Sequence, residues 1–206
     1  MTEREWVRSI VPGLRRALSR CGTRECDIEI EAGLRLPYRC EVSGYSGPAA
    51  REPDVSEYET DLLVRDRARD GSWTPRVVIE CKLGKITTHD ALTYSAKAAT
   101  HKQVHPYLRY GILIGDREHY AIPGRLVRHG AHFDFMATWV GMRARQVEWR
   151  AIVGLLAEEI AASRTMQEVL ASSRQPTRTK YVVLHRPLRF KRINRGTAVR
   201  EEPDDA

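Results

Sequence analysis

The stretch RVVIECKLGK, residues 76–85, decides how the rest of the sequence is interpreted. Its apolar run, residues 77–79, is typical of a strand with both faces covered. Glu80 and Lys82 follow with Cys81 between them, and the alternation of side chains along a strand places the two charged groups on one face. Because burying charges without partners is costly, this end of the strand predicts a functional site.

A second strand is predicted just before it, in SEYETDLLV, residues 56–64. The Asp-Gly pair at 70–71 is a strong hairpin turn signal, so the two strands are expected to be antiparallel neighbours. Within residues 56–64, alternation places Asp61 on one face with the preceding glutamates. If Asp61 lies on the same face as Glu80, two carboxylates converge beside the ammonium group of Lys82.

Two neighbouring carboxylates repel each other unless they share a proton or bind a cation. Ligand sets made only of oxygen suit Mg²⁺ or Mn²⁺. Such an ion polarises a phosphate group and lowers the pKa of a bound water molecule. Lys82 could then position that water or stabilise charge that develops on phosphorus. The backbone carbonyl of Cys81 is a candidate for a further metal ligand.

An Asp followed by Glu-x-Lys on the next strand resembles the PD-(D/E)xK nuclease superfamily, which has the restriction-endonuclease-like fold. The match consists of ETDLLV with Asp61 and VVIECKL with Glu80 and Lys82. The predicted order of helix, antiparallel strands, helix and strand is also similar, over about residues 3–115. The resemblance implies Mg²⁺-dependent hydrolysis of double-stranded DNA to 5′-phosphate and 3′-hydroxyl ends, with Asp61, Glu80 and Lys82 catalytic.

Within that superfamily, the sequence looks most like a type II restriction endonuclease of bacterial defence, which usually acts as a homodimer. Two alternatives remain open: a DNA repair or recombination nuclease of the same fold, and a catalytically inactive nucleic-acid-binding module. The charged residues could also be an ordinary surface ion pair.

A second aspartate competes for the first metal position. Pro53 and Asp54 spell the literal PD of the family name, but they lie at the edge of a loop. Asp61 is preferred because it is predicted to lie within a strand, where a ligand is held rigidly.

The resemblance also implies auxiliary residues, since the family often adds a glutamate from the first helix and a polar residue from the helix after Glu-x-Lys. Glu5 is the candidate in the first helix, although a capping box with Thr2 explains it equally well. The other candidates are Glu59, Lys97 and Gln103.

Positive charge is concentrated near the carboxyl end of the chain. The net charge is +7, and residues 174–200 contain nine Lys or Arg and no acid. Such a segment commonly faces nucleic acid, although a solvated tail is the alternative. The predicted DNA-contacting residues are Lys180, Arg186, Arg189, Lys191, Arg192 and Arg195.

Composition excludes several other classes of protein. No apolar run approaches the ~18 residues that span a bilayer, and the amino-terminal stretch is charged, so we expect a cytoplasmic protein without membrane contact. The sequence contains no Gly-rich phosphate-binding loop, so use of ATP is not expected. The four cysteines are irregularly spaced, so reduced thiols are expected, with a zinc site from Cys21, Cys26 and Cys40 as the alternative.

The predicted fold class is α/β (α+β): a restriction-endonuclease-like core with a central mixed sheet flanked by helices. The predicted division is a nuclease core over 1–140, a helical extension packing on the core or at a dimer interface over 141–173, and a basic DNA-contacting segment with an acidic flexible end over 174–206. The elements predicted before the hairpin are a helix at 2–20 that is kinked or divided near Pro12, strands within 26–42 and a loop at 43–54. The elements predicted after it are a helix at 89–103 with Thr87 or Thr88 as its N-cap, a strand at 109–115, helical structure at 142–171 and a late hairpin at 180–193. The apolar face predicted for 142–171 includes Val147 and Leu170.

Overall fold

A computed structural model describes residues 1–117, 122–180, 182–184 and 188–190 of the chain. The described residues form four α-helices and nine strands, of which seven strands lie between the first and second helices in the sequence. The helices are α1 Glu3–Leu18, α2 Thr88–Val104, α3 Gly124–His129 and α4 Gln146–Ser172. The strands are β1 Cys26–Glu31, β2 Arg35–Glu41, β3 Tyr45–Ser46, β4 Ala49–Ala50, β5 Asp54–Glu59, β6 Leu62–Ala68, β7 Trp73–Leu83, β8 Arg109–Gly115 and β9 Phe135–Thr138.

A central mixed sheet flanked by helices organises the molecule, as predicted. The strand order is β1-β6-β7-β8-β9. The first three strands are antiparallel, and β7, β8 and β9 are parallel to one another. Strand β7 is therefore central, and both faces of its apolar stretch are covered. The predicted hairpin is also present, because β6 and β7 pair antiparallel around Gly71, whose φ of 89° suits glycine.

The larger part of the core lies between one face of the sheet and helices α1 and α4. Trp6, Ile10 and Leu14 recur at helical spacing and are buried against the same cluster as Leu156 of α4. The predicted capping box is present at the start of α1. Pro12 does not divide this helix, since α1 is a single helix that contains it, and the alternative of a kink stays a prediction.

Helix α4 joins this core as one continuous element. Ile152, Leu156 and Ile160 pack into the cluster that α1 also enters. The apolar face predicted for 142–171 extended to Val147 and Leu170, but these side chains are 50% and 43% exposed. The buried stripe of α4 is therefore narrower than the sequence predicted.

The structure corrects the prediction of a single strand over residues 56–64. The chain leaves β5 at Glu59 and enters β6 at Leu62, and the two strands belong to different sheets. Thr60 makes the break, because its amide and its hydroxyl both donate to the carbonyl oxygen of Leu34, at 3.0 and 2.8 Å. Asp61 therefore lies at the junction and not inside a strand.

Strands β2 and β5 form a two-stranded ribbon, which we call the arm. The short hairpin of β3 and β4 lies between them in the sequence, within the segment 43–54 that was predicted to be a loop. The arm packs on α2 through the buried side chain of Leu36, and the Nδ1 atom of His101 lies 2.9 Å from the carbonyl oxygen of Pro37. The arm thus extends from the sheet at Thr60 and rests on α2.

Some of the remaining predictions of secondary structure are confirmed, and one falls largely on residues outside the described ranges. Helix α2, capped by Thr87, which is one of the two predicted caps, and the buried strand β8 are confirmed. The predicted hairpin at 180–193 falls largely outside the described residues, and the described positions within it form no strand. No helix in the described ranges is both long and apolar enough to cross a membrane.

Candidate active site

Asp61 contributes the first carboxylate, at the point where the arm meets the sheet. Leu62 pairs with Ile79, so Asp61 comes opposite Glu80 one residue further along each strand. One carboxylate oxygen of Asp61, Oδ2, accepts a hydrogen bond of 2.8 Å from the backbone amide of Cys81. This bond fixes the carboxylate between the two charged residues of the Glu-x-Lys stretch.

Glu80 contributes the second carboxylate, and it is only 1% exposed. Its Oε1 atom lies 3.2 Å from Nζ of Lys97 and also accepts a hydrogen bond from the hydroxyl group of Tyr110. Burial and the charge of Asp61 outweigh these favourable contacts and raise the pKa of Glu80 to about 7. The two carboxylates therefore carry more negative charge than their surroundings readily accommodate, which is the condition for holding a cation.

Lys82 lies on the same face of β7 and is held by a residue from α1. Its Nζ atom is 3.4 Å from Oε1 of Glu3. The other carboxylate oxygen of Glu3, Oε2, accepts a hydrogen bond of 3.2 Å from the backbone amide of Leu83. Burial lowers the pKa of Lys82, but the hydroxyl of Tyr94 and the charge of Glu3 outweigh burial and raise it. Lys82 is therefore a permanent cation and donor at neutral pH, and not a base.

A second lysine, Lys97, enters the same site from α2. Its Nζ atom lies 5.3 Å from the ring centre of Tyr58 and 5.5 Å from that of Tyr94, in addition to its contact with Glu80. Tyr94 is also 5.2 Å from Nζ of Lys82, so one ring adjoins both ammonium groups. Aromatic faces stabilise such cations, and the two lysines are thereby kept close to the carboxylates.

The residues present fit a hard divalent cation. The amide and carbonyl of one residue in an extended strand point to the same side, so the carbonyl of Cys81 faces the side on which Asp61 lies. Among the described residues, no group of three or more His, Cys, Asp and Glu side chains could hold a metal ion. Two carboxylates and one carbonyl could supply oxygen ligands here, and Mg²⁺ commonly completes such a set with water and substrate oxygens.

The other predicted auxiliary residues lie elsewhere. Glu5 is exposed and completes the capping box with Thr2. Glu59 is exposed on the arm, 3.8 Å from a guanidinium nitrogen of Arg4. Gln103 is exposed near the end of α2. Asp54, the alternative first ligand, is exposed at the start of β5, at the opposite end of that strand from the junction that holds Asp61.

The predicted DNA-contacting residues of the carboxyl-terminal segment are only partly described. Lys180 and Arg189 are exposed. Arg186, Lys191, Arg192 and Arg195 lie outside the described residues.

Several residues of the site were missed by reasoning from the sequence, among them Glu3, Tyr94 and Tyr110. Glu3 precedes Trp6 and Val7 by three and four positions, so it continues the buried stripe of α1, and this spacing was a usable signal. Tyr110 gives no comparable signal, because its place beside Glu80 follows from the parallel register that pairs it with Val78.

Comparison with known proteins adds no relative. No family model matches the chain, and no curated protein sequence matches it.

Proposed function

We propose that the chain is a Mg²⁺-dependent endonuclease of double-stranded DNA with a restriction-endonuclease-like core. One observation supports the proposal above all others. Asp61, Glu80 and Lys82 converge at one end of β7, with the carboxylate of Asp61 bonded to the amide of Cys81 between the other two. This arrangement agrees with the order of functional residues in the PD-(D/E)xK superfamily, and Mn²⁺ is expected to substitute for Mg²⁺.

In this proposal, Asp61, Glu80 and the carbonyl of Cys81 hold the metal ion. The ion, when bound, supplies a Lewis acid for the phosphate and a water molecule of lowered pKa. Binding a cation also relieves the repulsion that raises the pKa of Glu80, so Glu80 becomes fully ionised when the site is loaded.

Lys82 serves as a donor to the attacking water or to a non-bridging oxygen of the phosphate. Its raised pKa keeps it protonated, so it stabilises negative charge that develops in the transition state. Glu3 orients the Lys82 ammonium group and the turn of chain after it. Lys97 holds Glu80 in place through Oε1, so the other carboxylate oxygen, Oε2, would be the one that holds the metal ion.

Within this class, we propose a type II restriction endonuclease that acts as a homodimer, with the basic carboxyl-terminal segment holding DNA. The alternative is a repair or recombination nuclease that reads DNA structure. Mapping the ends of the products separates the two. Discrete fragments from intact plasmid support restriction, and cuts confined to nicks, flaps or junctions support repair.

The deciding experiment is digestion of supercoiled plasmid with Mg²⁺ or Mn²⁺ over a range of salt concentration. We expect linear products from the wild-type chain and at least ~10²-fold slower cutting by Lys82→Ala. Arg16→Ala, an exposed cation at the far end of α1, is the matched control and should cut normally. Intact plasmid under every condition, or undiminished cutting by Lys82→Ala, would refute the proposal.

One observation favours a second candidate, a binding module without catalysis. Both ammonium groups of the site already have carboxylate neighbours, Glu3 for Lys82 and Glu80 for Lys97. These two ion pairs compensate part of the charge of the site without a metal ion. A pure binding module should bind DNA in a salt-dependent manner and gain no stability from Mn²⁺.

A further inference from the structure

The loop directly after the Glu-x-Lys stretch, residues 84–86, is surrounded by positive charge. The Nη1 atom of Arg117 donates to the carbonyl oxygen of Gly84 at 2.9 Å, and Nη1 of Arg125 donates to that of Ile86 at 3.0 Å. Lys85 lies between these two carbonyls in the sequence, and it is exposed. Three cations from three segments of the chain therefore meet at one short loop.

The loop itself is held in place. Gly84 has a φ of 64° and donates its amide to the carbonyl of Gly115 at 2.8 Å, while the side chain of Ile86 is buried. Each guanidinium group uses the one Nη1 donor described above, and an arginine has five N–H donors. The Nε atom of Arg117 is buried and has no partner among the described residues. In the described part of the chain, the cluster thus has fixed positions, and each guanidinium group has further N–H donors beyond the one that holds the loop.

Among the described residues, the two acids near this cluster in the sequence are engaged elsewhere or exposed. Asp116 precedes Arg117 and is exposed, and its amide bonds to the carbonyl of Gly141. Asp90, at the start of α2, is occupied by hydrogen bonds of 2.6 and 2.7 Å from Thr87. A planar fork of arginine donors beside a lysine is the arrangement that binds phosphate oxygens.

The position of the cluster points to its ligand. Gly84 is two residues beyond Lys82, so their Cα atoms are at most about 7 Å apart. DNA carries one phosphate per about 3.4 Å of helix axis along each strand, so a strand that presents one phosphate to Lys82 places its neighbours near the loop.

We propose that Lys85, Arg117 and Arg125 form a binding site for a phosphate group of the nucleic-acid backbone, next to the phosphate that would be cleaved. The inference rests on the proposed function in its choice of nucleic acid as the source of that phosphate. It places the main backbone contact on the loops around β7 and β8, and not on the carboxyl-terminal segment alone.

The test is the binding of a fluorescent 24-base-pair duplex to the full chain in EDTA, followed by anisotropy between 50 and 300 mM KCl. Lys85→Gln is the deciding variant, because the side chain of Lys85 makes no described contact that the fold needs. We expect about 3- to 10-fold weaker binding at 100 mM KCl and a salt slope reduced by about 1. Lys85→Gln combined with Arg125→Gln should reduce the slope by about 2.

Arg16→Gln is the matched control, since it removes one exposed charge about 20 Å along α1 from Glu3. It should leave affinity and slope unchanged. Inorganic phosphate should displace the duplex from the wild-type chain more strongly than chloride of equal ionic strength, because it competes for the same donors. Equal displacement by the two anions, or equal behaviour of Lys85→Gln and Arg16→Gln, would overturn the assignment.

Plasmid cleavage with Mg²⁺, measured on the same variants, separates this inference from the proposed function. If the wild-type chain cuts while Lys85→Gln and Arg16→Gln bind DNA alike, the phosphate site is wrong and the nuclease assignment stands. If Lys85→Gln binds weakly while the wild-type chain cuts nothing with any metal, the phosphate site stands and the nuclease assignment is wrong.

Discussion

The Nζ atom of Lys97 lies 3.2 Å from Oε1 of Glu80, so a cation from α2 compensates a carboxylate that is 1% exposed. The compensation is incomplete, because the pKa of Glu80 is still raised to about 7. The charge balance of the site therefore changes within the physiological range of pH, and several measurable properties follow from this.

The first prediction concerns the stability of the metal-free protein. The pKa of Glu80 is about 7 in the folded protein and about 4.5 in the unfolded chain. The contribution of Glu80 to the free energy of unfolding is therefore complete below pH 4.5 and is lost as the pH rises through 7. Glu80→Gln stays neutral throughout. Relative to wild type, its free energy of unfolding should improve by about 3 kcal/mol between pH 4.5 and 8.

Urea denaturation in EDTA measures this difference at each pH. The comparison with a variant is needed because burial lowers the pKa of His101 to about 4. That group is expected to contribute stability above pH 6.5 and to lose it as the pH falls towards 4, which opposes the trend of Glu80. Subtracting the two stability curves cancels His101. A difference that does not vary with pH would contradict the assignment for Glu80.

The second prediction concerns metal binding and decides between Asp61 and Asp54. At a Mn²⁺ concentration ten times its dissociation constant, the wild-type chain should gain about 1.4 kcal/mol in free energy of unfolding. Asp61→Ala should remove this gain, since it deletes one carboxylate ligand. Asp54→Ala should retain it, because Asp54 is exposed at the far end of β5. Thermal unfolding with and without Mn²⁺ provides the measurement, and the opposite ranking would identify Asp54 as the ligand.

The third prediction compares two glutamates in the first turn of α1. Glu3 contacts Lys82 and the amide of Leu83, whereas Glu5 caps the helix through Thr2. Glu3→Gln should slow plasmid cleavage on the order of 10-fold, because the ammonium group of Lys82 loses its orientation. Glu5→Ala should leave the rate of cleavage unchanged and lower stability slightly, because the hydrogen bond from the Thr2 amide is lost.

Initial rates of plasmid nicking and urea denaturation of the same preparations test this pair. Equal rates for Glu3→Gln and wild type would show that Glu3 has no positioning role. A loss of cutting by Glu5→Ala at unchanged stability would place that residue in the site instead.

The fourth prediction concerns the attachment of α4 to the sheet. Asp66 is buried and accepts hydrogen bonds from Arg76 at 2.6 Å and from Nε of Arg164 at 3.0 Å. Burial raises its pKa, but the two guanidinium groups outweigh burial and lower it. Asp66→Asn leaves both cations without their anion and should destabilise the chain by about 3–5 kcal/mol.

Urea denaturation at pH 7 checks this value, with Asp27→Asn on the exposed side of β1 as control. Folding lowers the pKa of Asp66, so its contribution to the free energy of unfolding is complete above the pKa of the unfolded chain. This contribution is lost as the pH falls through the pKa of the folded protein. The free energies of unfolding of Asp66→Asn and Asp27→Asn should therefore become equal in strong acid. A loss below 1 kcal/mol at pH 7 would mean that Asp66 does not hold α4.

Local signals in the sequence were sufficient for much of the fold. The Asp-Gly turn predicts the β6–β7 hairpin, and the apolar run before Glu80 predicts a central strand. The break at Thr60 could not be predicted, because SEYETDLLV has the composition of one strand. The interruption comes from hydrogen bonds to Leu34, which is 26 residues away in sequence.

The candidate site also combines features that local sequence predicts with contacts between residues far apart in the sequence. The spacing within Glu-x-Lys places Glu80 and Lys82 on one face without any knowledge of tertiary structure. The contact of Tyr110 with Glu80 depends on how β8 is aligned with β7, which the sequence does not specify. Reasoning from the sequence therefore identifies the charged groups but not the neighbours that hold them.

The junction at Thr60 has a mechanical consequence. Thr60 ties the base of the arm to Leu34, and the next residue is Asp61, whose carboxylate is bonded to β7. A movement of the base of the arm is therefore passed to Asp61 across a single peptide unit. We expect the position of the first carboxylate of the candidate site to depend on the position of the arm.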